Sequence, residues 1–263
     1  MAIVFWSTQK GVSGVTAVVA AITVVWAECI GQNVYVSSNH ISDDDINRVF
    51  LGIVRRHYTM VHHYYYSFGE PEYYRFLRVN PRKKRKVGAG ITYLPMEGTE
   101  EAEYFSGTGL KGVLKESKDA YLLIDAAAGG NDASERLLKA SEVRVVVLPP
   151  DRDSAEKTLR AFSDDENCFF IFGNYGKCGP MDISAMLSEN GISEQRAGCV
   201  PYCEEYELAL WSGSAYSFLR SVIFRTNVGE TSFFVNSLLL TAEKLRVFAD
   251  QRRYGNCTGF EGA

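Results

Sequence analysis

The chain is short of several things, and each shortage excludes a class of function. It has no Cys-x-x-Cys pair, its six cysteines standing at 29, 168, 178, 199, 203 and 257. Cys199 and Cys203 are four apart, but no other cysteine or histidine lies close in sequence to complete a zinc set. Free thiols in a reducing compartment are the expectation. Positive charge is not in excess: the formal net charge is −4 and the pI about 5.7. That balance argues against a protein that coats nucleic acid over a broad face. Long apolar runs are missing too. The most apolar N-terminal stretch, "VTAVVAAITVVWA", has 13 residues, which suits a buried helix better than a membrane span of about 20. No basic segment precedes it, so no secretory leader is expected. There is no internal repeat and no linker.

What is present is ordinary globular material. Of 263 residues, 46% are apolar and 23% charged, enough for one large domain spanning 1–263. "AIVFWST" is a continuous apolar run rich in β-branched and aromatic residues, which predicts a buried parallel strand. The small-residue helix after it ends near Gly31. "NVYVSS" is a second strand, and "SDDDINRVFLGIV" a helix with Ser42 at its N-cap. Beyond a segment at 57–88, strand and helix patterns alternate. The strands are "GITYLPM", "AYLLIDAAAGG", "VRVVVLPP", "CFFIFGNYG" and "RAGCVPY". The helices are "GLKGVLKES", "DASERLLKAS", "DSAEKTLRAFS", "DISAMLSENG", "EEYELALWSGSAYSFLR" and "TSFFVNSLLLTAEKLRVFADQ". Such alternation implies βα units, hence a doubly wound α/β fold with a mostly parallel sheet flanked by helices.

The first strand runs into "QKGVSGVT". A phosphate-binding loop reads G-x-x-x-x-G-K-[ST]. Gly14 and Thr16 satisfy it; Gln9 and Val15 do not. The position of the loop, between a buried strand and a helix, aims backbone N–H groups and a helix N-terminus at an anion. A tight strand-to-helix turn with no ligand is the competing reading.

At these residues the chain resembles the MinD/ParA group of P-loop ATPases, whose deviant loop reads KGGxGKT. Lys10 falls where that group carries a lysine that reaches across a dimer to the partner's phosphates. Gly11, Gly14 and Thr16 match, Thr16 as a magnesium ligand. Val12 replaces a glycine, and Val15 replaces the lysine that contacts the β/γ-phosphates. The resemblance extends along most of the chain. "AYLLIDAAAGG" resembles the switch II strand, with Asp125 the magnesium-side aspartate and Gly129 following. Asn174 matches the adenine-side asparagine, and Pro201, beside Tyr202, the proline that leads into the base-binding loop. The resemblance thus implies ATP or ADP with Mg2+. The loop residues Gly11, Val12, Ser13, Gly14, Val15, Thr16 and Ala17 would hold phosphate, with Asn174, Pro201 and Tyr202 at the base. Lys10 and Asp125 are the catalytic candidates, and Thr16 and Asp125 the metal ligands. It also implies a cytoplasmic homodimer that serves a larger assembly, able to sit peripherally on the inner face of the membrane. TadZ/CpaE-like pilus localisation proteins and BcsQ are members with altered loops.

Two departures bear on chemistry. Members usually end the second strand with acids, one of which helps position the attacking water; here Ser38 and His40 stand there. Valine at 15 supplies no charge and is expected to present a branched apolar group to the anion. Losing one preorganised electrostatic donor costs about 10²–10³ in rate. The expectation is an ATP-binding spatial-positioning or assembly factor with weak or no hydrolysis. An active ATPase that uses Lys10 in trans, and a scaffold that binds no nucleotide, stay open. Lys10 can equally be a solvated loop lysine, Asp125 a turn cap and Asn174 a turn former. Val12, restricted in φ where glycine is free, is expected to alter the loop's curvature.

"PRKKRKV" at 81–87 reads as a solvated basic loop, with contact to DNA, anionic membrane or an acidic partner as the other reading. His57, His62 and His63 lie among tyrosines with no carboxylate or cysteine at helix-face spacing to finish a metal set.

Overall fold

The computed structural model describes residues 1–38, 49, 85–88, 90–93, 120–130, 132–225 and 230–255. The helices expected around 42–54 and 109–117, the histidines of the 57–84 segment, His40 and the tail from 256 lie outside the described residues.

Eight strands form one sheet: β1 (Ala2–Trp6), β2 (Val34–Ser38), β3 (Arg85–Gly88), β4 (Ile91–Tyr93), β5 (Tyr121–Asp125), β6 (Val143–Leu148), β7 (Cys168–Tyr175) and β8 (Ala197–Pro201), in spatial order β3-β4-β2-β5-β1-β6-β7-β8. Seven strands run parallel; β3 alone pairs antiparallel, with β4. The end of the basic run is therefore strand rather than loop, because "RKVG" finds a partner in "ITY". Charge suits that position, since Lys and Arg at a sheet edge discourage further pairing.

Helices cover both faces. α1 (Val15–Glu28) lies on one, with α5 (Glu204–Ser212), α6 (Ala215–Ile223) and α7 (Glu230–Gly255). α2 (Asp132–Ala140), α3 (Arg152–Phe162) and α4 (Ile183–Glu189) cover the other. The strand pleat explains the split. Ile3 and Phe5 face α1, while Ala2, Val4 and Trp6 face α2 and α3. α1 is apolar all round and is buried without interruption from Val18 to Ala27, as expected of a helix central to its layer. Trp26 donates its indole N–H to the Ala242 carbonyl at 2.9 Å, tying α1 to α7.

The segment "EEYELALWSGSAYSFLR", expected as one helix, is two. Gly213 closes α5 at φ 70°, and the Gly213 and Ser214 N–H groups bond back to Leu210 and Ala209. That left-handed closure is a helix stop.

β8 forms one edge of the sheet. The Thr241 hydroxyl accepts from the Cys199 N–H at 2.9 Å and donates to the Cys199 carbonyl at 2.8 Å. Lys244 Nζ donates to the Ala197 carbonyl at 3.3 Å. Side chains of α7 thus take up edge groups that a further strand would need.

Candidate functional site

The loop between β1 and α1 is held by its own polar side chains. Ser7 and Ser13 are buried and their hydroxyls lie 2.6 Å apart. Gln9 Nε2 donates to Ser154 Oγ at 3.0 Å, and Thr8 Oγ1 meets Thr158 Oγ1 at 3.2 Å, so two straps fasten the loop to α3. Ser154 is itself placed by the cap of α3, its N–H donating to Asp151 Oδ1 at 2.9 Å. The Ser154 hydroxyl, and then its N–H, hold the Asp151 carboxyl below the usual carboxylate range.

The curvature of the loop comes from Gly11 (φ 76°) and Gly14 (φ 70°). Among the described residues, Asn174 is the one non-glycine with positive φ. The positive-φ positions of the loop fall on glycines, and Val12 is not among them. Strand β7 meets the loop at close range. A Cβ at Gly173 would lie 2.2 Å from the Ser13 carbonyl oxygen. The next residue, Asn174, has φ 50° and donates its carboxamide Nδ2 to the Val12 carbonyl at 3.1 Å. Asn174 shapes the turn and also clamps the loop.

Thr16, in the first turn of α1, donates its hydroxyl to Asp125 Oδ2 at 2.7 Å. Asp125 ends β5 and is fully buried. In the sheet register it sits beside Ser38, the buried last residue of β2. The pairing joins the two residues expected to hold a metal.

A cleft of about 500 Å³ opens at this end of the sheet. Open α/β sheets place ligands there, outside the carboxyl ends of their strands. Gly11, Val12, Gly14, Thr16 and Ala17 line it from the loop and α1; Asn174, Pro201 and Tyr202 line it from beyond β7 and β8. Lys10, Ser13, Val15 and Asp125 are not among its lining residues. Lys10 is exposed on the outside of the loop. Ser13 is buried beneath it, and Asp125 touches the cleft through Thr16. Val15 packs against the apolar cluster under α1. α1 begins at Val15, whose partly buried side chain meets the core cluster.

The mouth of the cleft holds a group that sequence reasoning missed. Glu207, on the first turns of α5, accepts from Tyr202 OH through Oε2 at 2.7 Å and from Lys177 Nζ through Oε1 at 3.1 Å. Lys177 also lies 4.5 Å from the centre of the Tyr202 ring. The bond to Glu207, with burial adding to it, pushes the Tyr202 hydroxyl up to about 12. The same bond, then Lys177, holds Glu207 below the usual range. Deeper in, Tyr206 donates its hydroxyl to the Ala17 carbonyl at 2.7 Å, and burial pushes that hydroxyl up. Burial also pushes the Cys203 thiol up to about 11. The described cysteines are free thiols. Among the described residues no group of three or more His, Cys, Asp or Glu is placed to hold a metal, and no helix is long and apolar enough to cross a membrane.

No protein-family model matches the chain, and no curated protein matches it. Solved structures do. The MinC:MinD cell division protein complex of Aquifex aeolicus is 15% identical, covers 94% of this chain and 96% of its own, and superposes with a TM-score of 0.64. The septum site-determining protein MinD complexed with Mg-ADP, from Pyrococcus horikoshii OT3, is 14% identical over 96% of this chain and 99% of its own, TM-score 0.64. A putative plasmid partition protein of Borrelia burgdorferi B31 bound to AMPPNP is 13% identical over 95% and 98%, TM-score 0.53. At these identities the likeness is one of fold: a parallel sheet flanked by helices, as in the MinD and ParA ATPases.

Proposed function

We propose that this protein binds ATP or ADP with Mg2+ in the cleft at the carboxyl ends of β1, β7 and β8, and acts as a positioning or assembly factor with weak or no hydrolysis. The observation that carries the reading is the 2.7 Å bond between Thr16 and Asp125, reached from a cleft that Gly11, Gly14, Asn174, Pro201 and Tyr202 also line. The donor set fits Mg2+. It is one hydroxyl and one carboxylate, both hard oxygens, on a cation that keeps most of its other positions for water and phosphate oxygen. Bound there, Mg2+ would neutralise phosphate charge.

The chain's own residues do the rest. Two glycines at positive φ and the start of α1 present a backbone cradle for phosphate. Asn174, Pro201 and Tyr202 form the opposite wall, where a base would lie. Cationic help is poor. Val15, partly buried against the core cluster, offers no charge. Of the described residues lining the cleft, Lys177 is the one cation, and it is paired with Glu207. Phosphoryl transfer depends on charge aimed at the developing oxyanion, so binding survives here better than turnover.

The solved relatives of this fold support the reading: one holds Mg-ADP, one holds AMPPNP, and one is a complex of MinD with MinC. We extend it to a single domain over 1–263 that dimerises across the loop, with the exposed Lys10 reaching the partner's phosphates, in the manner of pilus or secretion localisation proteins. The site of action is the cytoplasm or the inner membrane face.

Calorimetry with Mg-ATP and Mg-ADP, paired with sedimentation velocity and a phosphate-release assay, tests this. The expected result is saturable binding of both nucleotides, dimers with ATP, and turnover at least ~10²-fold below that of a loop with its lysine. No heat at millimolar nucleotide overturns it and leaves a scaffold that acts through protein contacts. Brisk turnover abolished in Lys10→Ala favours the active ATPase.

A further inference from the structure

α7 carries a second pattern that the nucleotide cleft does not use. Its buried face, including Phe234, Leu238, Ala242, Leu245 and Ala249, packs on α1 and the sheet. Away from that face stand Phe233, Leu240, Val247 and Tyr254, which are 57%, 60%, 40% and 59% exposed. Each is seven residues from the next. An α-helix drifts only about 20° per heptad, so the four form one continuous stripe. Single exposed apolar side chains need no explanation. Four large ones in heptad register on a helix already packed by its other side do. A seven-residue apolar period is the pattern by which one helix meets another lengthwise.

We propose that this stripe is an interface with a second copy of the chain, formed by the two α7 helices side by side and parallel. The flanks of the stripe select the occupant and its direction. Residues three after each stripe position (Asn236, Glu243, Asp250) form one flank, and residues four after (Ser237, Lys244, Gln251) form the other. In a parallel pair related by a two-fold axis along the helices, each flank faces the opposite flank of the partner. Glu243 then lies beside the partner's Lys244, twice by symmetry. An antiparallel pair that stacks all four stripe residues sets like flanks together, Glu243 by Glu243 and Lys244 by Lys244. Like charges at the centre disfavour it.

Existing contacts leave this arrangement workable. Lys244 is bonded to the carbonyls of Glu194 and Ala197, which carry no formal charge to cancel its own. Arg246 on the same helix forks onto both carboxylate oxygens of Glu243, at 2.9 and 2.6 Å, which fixes the carboxylate on the flank with lone pairs left for the partner's lysine. Beside the centre of the stripe Glu243 and Asp250 are paired by Arg246 and balanced by Lys244, so no excess of basic charge there selects an anionic membrane as the occupant. Addition of a strand is disfavoured next to it, because Thr241 and Lys244 already take up edge groups of β8. This interface stands apart from the loop face and needs no nucleotide.

The test uses full-length protein without nucleotide. Sedimentation velocity should show a concentration-dependent dimer that weakens at least tenfold in Leu240→Glu and in Val247→Glu. Both positions are exposed, and circular dichroism checks that each variant keeps its fold. Glu243→Lys should weaken the dimer, and Glu243→Lys combined with Lys244→Glu should restore it. Direction is read by oxidative cross-linking, with unmodified protein as control for its native thiols. Leu240→Cys alone and Val247→Cys alone should each link to themselves. Cross-linking only when the two variants are mixed overturns the parallel arrangement. A wild-type monomer across the micromolar range, or a dimer indifferent to Leu240→Glu, overturns the interface.

Discussion

Gly173→Ala puts the loop-to-strand contact to a direct test. The added Cβ would stand 2.2 Å from the Ser13 carbonyl oxygen and 2.8 Å from Val147 Cγ1. Ordinary contacts of this kind start near 3.4 Å, so the carbonyl must retreat by roughly 1 Å. A methyl of Val147 can turn aside. The Ser13 carbonyl cannot easily, because it belongs to a backbone pinned by the Ser7–Ser13 bond on one side and the start of α1 on the other. Overpacking of this sort costs about 1–3 kcal/mol. For a chain of this size that lowers the melting temperature by about 2–4 °C per kcal/mol, hence roughly 2–12 °C. Nucleotide affinity should suffer more than stability, because the displaced atoms belong to the phosphate cradle. A 1 Å misplacement is commonly worth ~10²-fold in function. Gly130→Ala is the control, since a Cβ there meets nothing within 4 Å and no positive φ is involved. Thermal melts and Mg-ADP calorimetry on the two variants give the answer. Gly173→Ala that melts and binds like the wild type refutes the claim that β7 shapes the loop.

Four further outcomes follow from the same geometry. Thr16→Val removes the hydroxyl that bonds Asp125 and should weaken Mg-nucleotide binding at least tenfold, with less effect when calorimetry is repeated in chelator. Val15→Ala trims a side chain at the core's margin and should cost about 1 kcal/mol in urea titration while leaving nucleotide affinity within about twofold. For Tyr202, whose folded pKa is raised above its unfolded value to about 12, the bond to Glu207 stabilises below pH 10 and is lost as pH rises toward 12; the difference titration at 295 nm between wild type and Tyr202→Phe should show one phenol ionising near 12. Lys10→Ala should leave nucleotide affinity unchanged and reduce the ATP-dependent step in association, read by sedimentation as the difference between runs with and without ATP.

Much of the fold was legible because its strands are buried on both faces and so appear as continuous apolar runs, from "AIVFW" to "CFFIF". The misses have local causes. Charge in "PRKKRKV" outweighed the pairing capacity of "RKVG", and Gly213 was passed over as a helix stop because apolar residues continue beyond it. At the site, the loop is legible as a unit because it joins a recognisable strand to a recognisable helix, and Gly11, Val12, Gly14, Thr16 and Ala17 of that unit line the cleft. For Val15 the motif says what is lacking, and the packing of α1 adds that its side chain meets the margin of the core. Lys177 and Glu207 were invisible for another reason. Acids at a helix start are expected from the helix dipole alone, so "EEYE" gave Glu207 no distinction. Nothing in its spacing joins it to a lysine 30 residues earlier.

The straps from Thr8 and Gln9 to Thr158 and Ser154 have a thermodynamic consequence. They order the loop during folding, so a ligand does not bear the entropy of arranging it. Binding should then show a modest heat-capacity change, as for a site made in advance. The same straps make affinity depend on α3, a helix that lines no part of the cleft. Loss of the Ser154 hydroxyl would loosen the loop from more than 140 residues away, and the change would register as weaker binding rather than as a lower melting point.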